Sequence, residues 1–218
     1  MKLNDIQKTA LWSSVAVLAV AVAAAAWWLW ITFKGRKKTT VNMYTNSNTN
    51  GTLQPAPSNG KTAAGLVEYC RRQLGRPYWY GTSGQIATAE LYQQKKKQYP
   101  LYYTASDFAS QMGQKVHDCM GLIEGYMWSP TPDAAAVIGS NGFPDYTANG
   151  MLAAATEKGL IGSIPEIPGL SVHRPGHVGV YVGNGQVIEA RGHKYGVVQT
   201  PLNGRGWVSW AKIPGVKY

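Results

Sequence analysis

Leu11 to Phe33 is an apolar run of 23 residues without one charged side chain. A helix of that length reaches across the hydrocarbon core of a bilayer. Because the run is apolar on every face, it cannot turn a polar side to water as a surface helix must. Trp27, Trp28 and Trp30 gather at one end, where interfacial aromatics belong. Residues 1–38 therefore read as a membrane anchor with a basic flank, touching lipid through residues 11–33. The competing reading is a cleaved signal peptide, with Met1–Lys8 as its charged start and Ala21–Ala26 as its small-residue end. Cleavage there would leave Trp27–Phe33 as an exposed apolar stub, so a retained anchor is favoured. Lys34, Arg36, Lys37 and Lys38 follow the run, against Lys2 and Lys8 before it. On charge alone, that asymmetry keeps the rest of the chain in the cytoplasm.

Residues 39–60 carry no charge and are rich in Asn, Thr, Ser, Pro and Gly. They cannot bury enough apolar surface to fold and read as a flexible tether. One domain remains, residues 61–218. The net charge of +10 divides evenly: six basic and one acidic residue precede position 61, fifteen and ten follow, so each part carries +5. Without a basic stripe interleaved with aromatics, nucleic acid is a poor partner. A mildly basic domain suits anionic polymers or lipid headgroups. The two cysteines and four histidines show no metal-ligand spacing, and no cofactor is expected.

Within the domain, Val178–Val182 and Gln186–Ala190 flank Gly183-Asn184-Gly185, a strong hairpin signal. A two-residue turn sets Val180 against Glu189 and Val178 against Arg191, mixing apolar with charged. A three-residue loop pairs Val180 with Ile188 and Val178 with Ala190, gathering the apolar residues on one face. That register puts Glu189 on the face of His177, within reach of it.

Cys119 lies in His117-Asp118-Cys119-Met120-Gly121-Leu122-Ile123, where Asp118 is a good helix cap and Leu122, Ile123, Tyr126 and Met127 share one face. In a first helical turn, backbone N–H groups and the helix dipole favour a thiolate. His177 is the natural base, Glu189 its orienter. The plainer alternatives are a small buried hydrophobe for Cys119 and a surface carboxylate paired with Arg191 for Glu189. Cys70 shares an apolar face with Leu66, Val67 and Leu74 and reads as core. A Cys70–Cys119 disulfide would abolish the nucleophile. His117, His173 and His193 read as surface or turn residues.

Three segments in order, Gly75-Arg76-Pro77-Tyr78-Trp79-Tyr80-Gly81, Asp118-Cys119-x-Gly121-Leu122-Ile123 and His177-Val178-Gly179-Val180-Tyr181-Val182-Gly183, resemble the NlpC-type cell-wall peptidases, over about residues 62 to 213. The resemblance implies an α+β, papain-like cysteine hydrolase domain, with helices packed on a small antiparallel sheet. It also implies cleavage of peptidoglycan stem peptides, with Tyr78 adding its hydroxyl to the oxyanion site. Two departures stand out. Some 37 residues separate Gly81 from Cys119, where the family places about ten. The third catalytic position, often His, Asn or Gln, is Glu189. The long spacer reads as a helical insertion, about residues 82–116, with helices at Ala87–Gln98 and Thr104–Met112, where Lys95-Lys96-Lys97 would meet anionic polymer. Further helix is expected over Ala148–Lys158, and a last strand around Trp207 and Trp210.

The implied bond is that between γ-D-glutamate and a diamino acid. An N-acetylmuramoyl-L-alanine amidase, an acyltransferase and a degenerate wall-binding module are the alternatives. A peptidoglycan substrate implies a single-pass protein of the bacterial cytoplasmic membrane with its domain outside, open to a cell-envelope complex. This opposes the charge asymmetry, but long domains are translocated despite modest bias.

Overall fold

The computed structural model describes residues 60–218. The expected anchor and nearly all of the tether lie outside the described residues, among which no helix is long and apolar enough to cross a membrane. Helices and antiparallel strands are mixed along the chain: α1 (Ala63–Arg72), β1 (Ser83–Ile86), α2 (Ala89–Gln98), β2 (Lys115–His117), α3 (Gly121–Trp128) and α4 (Ala148–Ala154). Strands β3 (Lys158–Leu160), β4 (Ser171–Arg174), β5 (His177–Gly183), β6 (Gln186–Ala190), β7 (Val197–Pro201) and β8 (Ser209–Ala211) follow. The last six form one sheet in the order β3-β8-β4-β5-β6-β7; β1 and β2 pair separately.

Strand alternation builds the two faces of the large sheet. Val178, Val180, Ile188 and Ala190 share a core with Leu66, Val67 and Cys70 of α1 and Leu122, Ile123 and Met127 of α3. Tyr181 and Val187 point the other way, into a smaller cluster with Leu170, Val172, Trp207 and Trp210. Val180 faces Ile188, as apolar matching requires, but the loop differs from the one expected. Its tip is a two-residue Asn184-Gly185 turn, and both residues have positive φ, of 54° and 66°. A bulge between Tyr181 and Gly183 then restores the apolar register. Both sequence alternatives are thus present in one hairpin, separated by a single extra residue.

Cys70 is a fully buried core residue, and both cysteines are free thiols, with no bridge between them. The long spacer is less helical than expected, since β1 and β2 close its base. Ala87 and Gly113 exchange backbone hydrogen bonds with the segment facing them, Ala87 N–H to Gln114 O at 2.8 Å and Gly113 N–H to Ala87 O at 2.9 Å. Helix α2 forms behind a Thr88 cap. Thr104–Met112 yields only a 3₁₀ segment at Asp107–Gln111, because its polar side chains bond locally instead of supporting an α-helix. Ser110 Oγ donates to the Asp107 carbonyl, and Gln111 to the Asp107 carboxylate. Phe108 is the one buried anchor of that segment and joins Trp79 and Tyr103 in a third cluster. Helix α4 stops at Ala154, where Lys158 Nζ takes the terminal carbonyls of Leu152 and Ala153, and Lys158 itself begins β3. Trp207 precedes β8 rather than lying in it.

Candidate active site

Asp118 organises the start of α3. Its Oδ1 accepts from Gly121 N–H at 2.7 Å, at the first residue of α3, while Oδ2 accepts from Gly81 N–H at 2.8 Å. Cys119 thus sits in the turn before the helix, not in its first turn as expected. One carboxylate therefore ties the tyrosine segment to the cysteine turn, whatever the length of chain between them. Gly121 allows this closeness, since a Cβ there would lie 1.8 Å from the Thr82 carbonyl oxygen.

Cys119 is half-buried at this junction, and the backbone N–H of Val178, the residue after His177, is close enough to favour its thiolate. Burial pushes the thiol up to about 12, reinforced by Asp118 and opposed by the N–H groups of Val178, Met120 and Cys119 itself. The helix-turn donors expected to favour a thiolate are thus present but outweighed by desolvation in the resting site. Tyr78 stands close enough for Asp118 and Cys119 to add to the burial that raises its phenol.

His177 Nε2 lies 2.7 Å from Glu189 Oε2. Glu189 is fully buried and also accepts from Thr200 Oγ1 at 2.8 Å, Arg205 Nε at 2.9 Å and Arg205 Nη2 at 3.1 Å. Burial alone would raise this carboxyl, but the hydrogen bonds from His177, Arg205 and Thr200 bring it down to about 2. It is therefore an ionised acceptor at neutral pH, so the proton sits on Nε2 and Nδ1 is left as the basic nitrogen. Trp207 stacks on the imidazole, with ring centroids 5.5 Å apart and planes at 12°. Gly179 makes room for this arrangement: a Cβ would come 2.6 Å from Val187 Cγ1 and 3.2 Å from the Trp207 ring.

A cleft of about 410 Å³ opens beside Cys119, walled also by Asp118, Glu124, Asp145, Tyr146 and Lys95. His177, Glu189 and Tyr78 are not part of its wall, though Gly176, next to His177, is. Burial, reinforced by Asp118 and Asp145, pushes Glu124 up to about 8, against hydrogen bonds from Ser83 Oγ at 2.8 Å and Tyr146 N–H at 3.0 Å. Lys95 comes from α2, so the spacer supplies part of the cleft.

Sequence reasoning placed two of the three other histidines too far out, while His193 lies in a turn as expected. His117 is fully buried on β2, and its Nε2 lies 2.9 Å from Tyr69 Oη. Burial, then Lys115 and Arg76, holds it at about 3. His173 is buried against Ser171 Oγ at 2.9 Å and is held at about 4, chiefly by burial. His193 is half-buried, with Nε2 2.6 Å from Asp107 Oδ1, linking the spacer to the loop after β6. Arg205 and Thr200 were missed altogether, because no motif marks them. The available signal was indirect, since a carboxylate between Ile188 and Ala190 on a buried strand needs more than one donor.

No protein-family model and no curated protein matches this sequence. Among solved structures, the chain is similar to the P60 domain of an antigen from M. avium subspecies paratuberculosis, at 21% identity and a TM-score of 0.41, covering 72% of this chain and 98% of that one. It is also similar to the NlpC/p60 domain of the peptidoglycan hydrolase SagA, at 16% identity and a TM-score of 0.42, covering 70% and 99%. A third is NlpC2 from Trichomonas vaginalis, at 20% identity and a TM-score of 0.42, where 70% of this chain covers 47% of that one. This chain thus spans about half the length of the Trichomonas protein.

Proposed function

We propose that the chain is a thiol-dependent hydrolase of peptidoglycan stem peptides, with Cys119 as nucleophile, His177 as base and Glu189 as orienter. The observation that carries this reading is the His177–Glu189 contact at 2.7 Å, on a strand whose next residue, Val178, has its N–H close enough to Cys119 to favour the thiolate. The peptide substrate follows from the resemblance of the three motif segments, and the bond cut is that between γ-D-glutamate and a diamino acid. Leu11–Phe33 holds the protein in the cytoplasmic membrane, and residues 39–60 let the domain search the wall outside.

With its pKa pushed up to about 12, Cys119 rests as a thiol. His177 Nδ1 takes the thiol proton as sulfur attacks the amide carbon, and the oxyanion is met by the Cys119 N–H and the Tyr78 hydroxyl. The imidazolium then protonates the departing amine, leaving a thioester. Water, deprotonated by His177, cleaves the thioester, releasing the carboxylic acid and restoring the thiol.

The test is digestion of purified peptidoglycan by the full-length chain, with products read by mass spectrometry. A free diamino-acid amine supports the endopeptidase, whereas intact stem peptides released from muramic acid would assign the amidase. Cys119→Ala should abolish release while keeping the fold, and Cys70→Ala should leave turnover within about two-fold, since a buried core thiol touches no substrate. Wild-type release by Cys119→Ala would end this assignment.

A further inference from the structure

Glu189 is held by more than the histidine it is proposed to orient. Arg205 grips it with two nitrogens, Nε on Oε1 and Nη2 on Oε2. With Thr200 and His177, four donors occupy its two oxygens, the full acceptor capacity of a carboxylate. The guanidinium therefore shares with the imidazole the oxygen that His177 uses. Arg205 is itself largely buried, with 19% of its side chain exposed, so water screens the pair poorly.

We propose that Arg205 is a positioning residue that makes Glu189 a charge-balanced orienter, an acceptor fixed in place for the His177 ring. The inference rests on the roles assigned above to Cys119 and His177. A lone buried carboxylate at 2.7 Å would hold a proton on the imidazole and withdraw the base from use. The Glu189–Arg205 pair carries no net charge and presents the imidazole with a fixed acceptor, much as a neutral amide would. This explains how a glutamate occupies a position where His, Asn or Gln is common. A Lys in place of Arg205 would give one point contact, without the fork that fixes both oxygens.

The other groups around His177 leave the charge to this pair. His173 on β4 is held neutral by burial, at about 4. Arg174, opposite His177 in the β4–β5 register, lies over the Trp207 ring at 5.8 Å. Cys119 is a neutral thiol, pushed up to about 12.

The test is an NMR titration of the labelled imidazoles in the full-length chain; only four histidines are present, and His177→Gln identifies the signal. In Arg205→Gln, His177 should hold its proton to about one pH unit higher than in wild type. The acid limb of the kcat/KM profile should move up with it. A merely structural Arg205 predicts the opposite sign, because a released Glu189 would swing away and lower the imidazole. An unchanged or lowered His177 midpoint overturns the proposal. Arg205→Met, which keeps most of the apolar stem, repeats the measurement should the glutamine variant not fold. In addition, Glu189→Gln with Arg205→Gln should turn over faster than Glu189→Gln alone, which strands a guanidinium against an amide; equal or slower turnover counts against charge balance. The titration is read without substrate, so a chain inactive on peptidoglycan would refute the functional reading while still judging Arg205.

Discussion

Cys119 shows how a single residue's chemistry is set by competing neighbours. Backbone N–H groups favour its thiolate, but burial and Asp118 favour the thiol and prevail, leaving it at about 12. On the proposed mechanism, proton transfer to His177 accompanies attack on the substrate, so acylation should be slower in heavy water; an isotope effect near unity would indicate a preformed ion pair. Glu189→Gln should lower turnover by about 10–1000-fold, within the roughly 10²–10⁴ carried by general acid–base groups. Wild-type turnover in Glu189→Ala would remove Glu189 from the mechanism. Two residues of this constellation were legible for a physical reason: only one register buries Val178, Val180, Ile188 and Ala190 together, and that register puts Glu189 beside His177. Arg205 was not legible, because a loop arginine between Gly204 and Gly206 carries no periodicity, and its partner is set by tertiary folding alone.

At the scale of elements, the spacer between β1 and β2 is part of the site. Trp79 is fully buried among Tyr103, Tyr92 and Phe108, with ring centroids 5.4–6.0 Å apart. Edge-to-face pairs of this kind contribute about 0.5–1.5 kcal/mol each beyond their area. This packing presents Lys95, half over the Tyr99 ring at 5.9 Å, to the cleft. Lys95→Ala should raise KM several-fold with little change in kcat, as expected of a group that binds substrate and transition state alike; steady-state kinetics on a soluble stem peptide would decide it. Helix α2 was readable as Ala87–Gln98, two residues early at its start, where the Thr88 cap sets the first helical residue at Ala89. The collapse of Thr104–Met112 to one 3₁₀ turn was not, since the Ser and Asp side chains that compete with a helix are also those that cap one.

Over the whole molecule, buried titrating groups set how stability depends on pH. His117 and His173 are depressed in the folded state to about 3 and about 4, so the unfolded chain binds protons more readily below about 6.5 and stability falls as pH drops from there. Glu189, lowered to about 2, adds to that loss below about 4.5. Glu124 has the opposite sign: raised to about 8, it keeps its proton when folded, and stability falls as pH rises from about 4.5 to 8. These slopes oppose each other between about pH 4.5 and 6.5, and Asp118, also raised by burial, adds to the loss as pH rises, so melting temperature should fall both below and above that window. Glu124→Gln should flatten the alkaline side while leaving the acid side in place; an unchanged alkaline fall in calorimetry would show that another group causes it. The ends of the spacer meet at Ala87, Gly113 and Gln114 through two backbone hydrogen bonds. A segment whose two ends coincide is a cassette: it can be lengthened, shortened or exchanged without moving Asp118 from Gly81, provided that the face of Trp79 it now buries is covered anew and the His193–Asp107 link is replaced. A change confined to this segment would therefore remake the Lys95 wall of the cleft while Cys119, His177 and Glu189 stay untouched on the scaffold beneath.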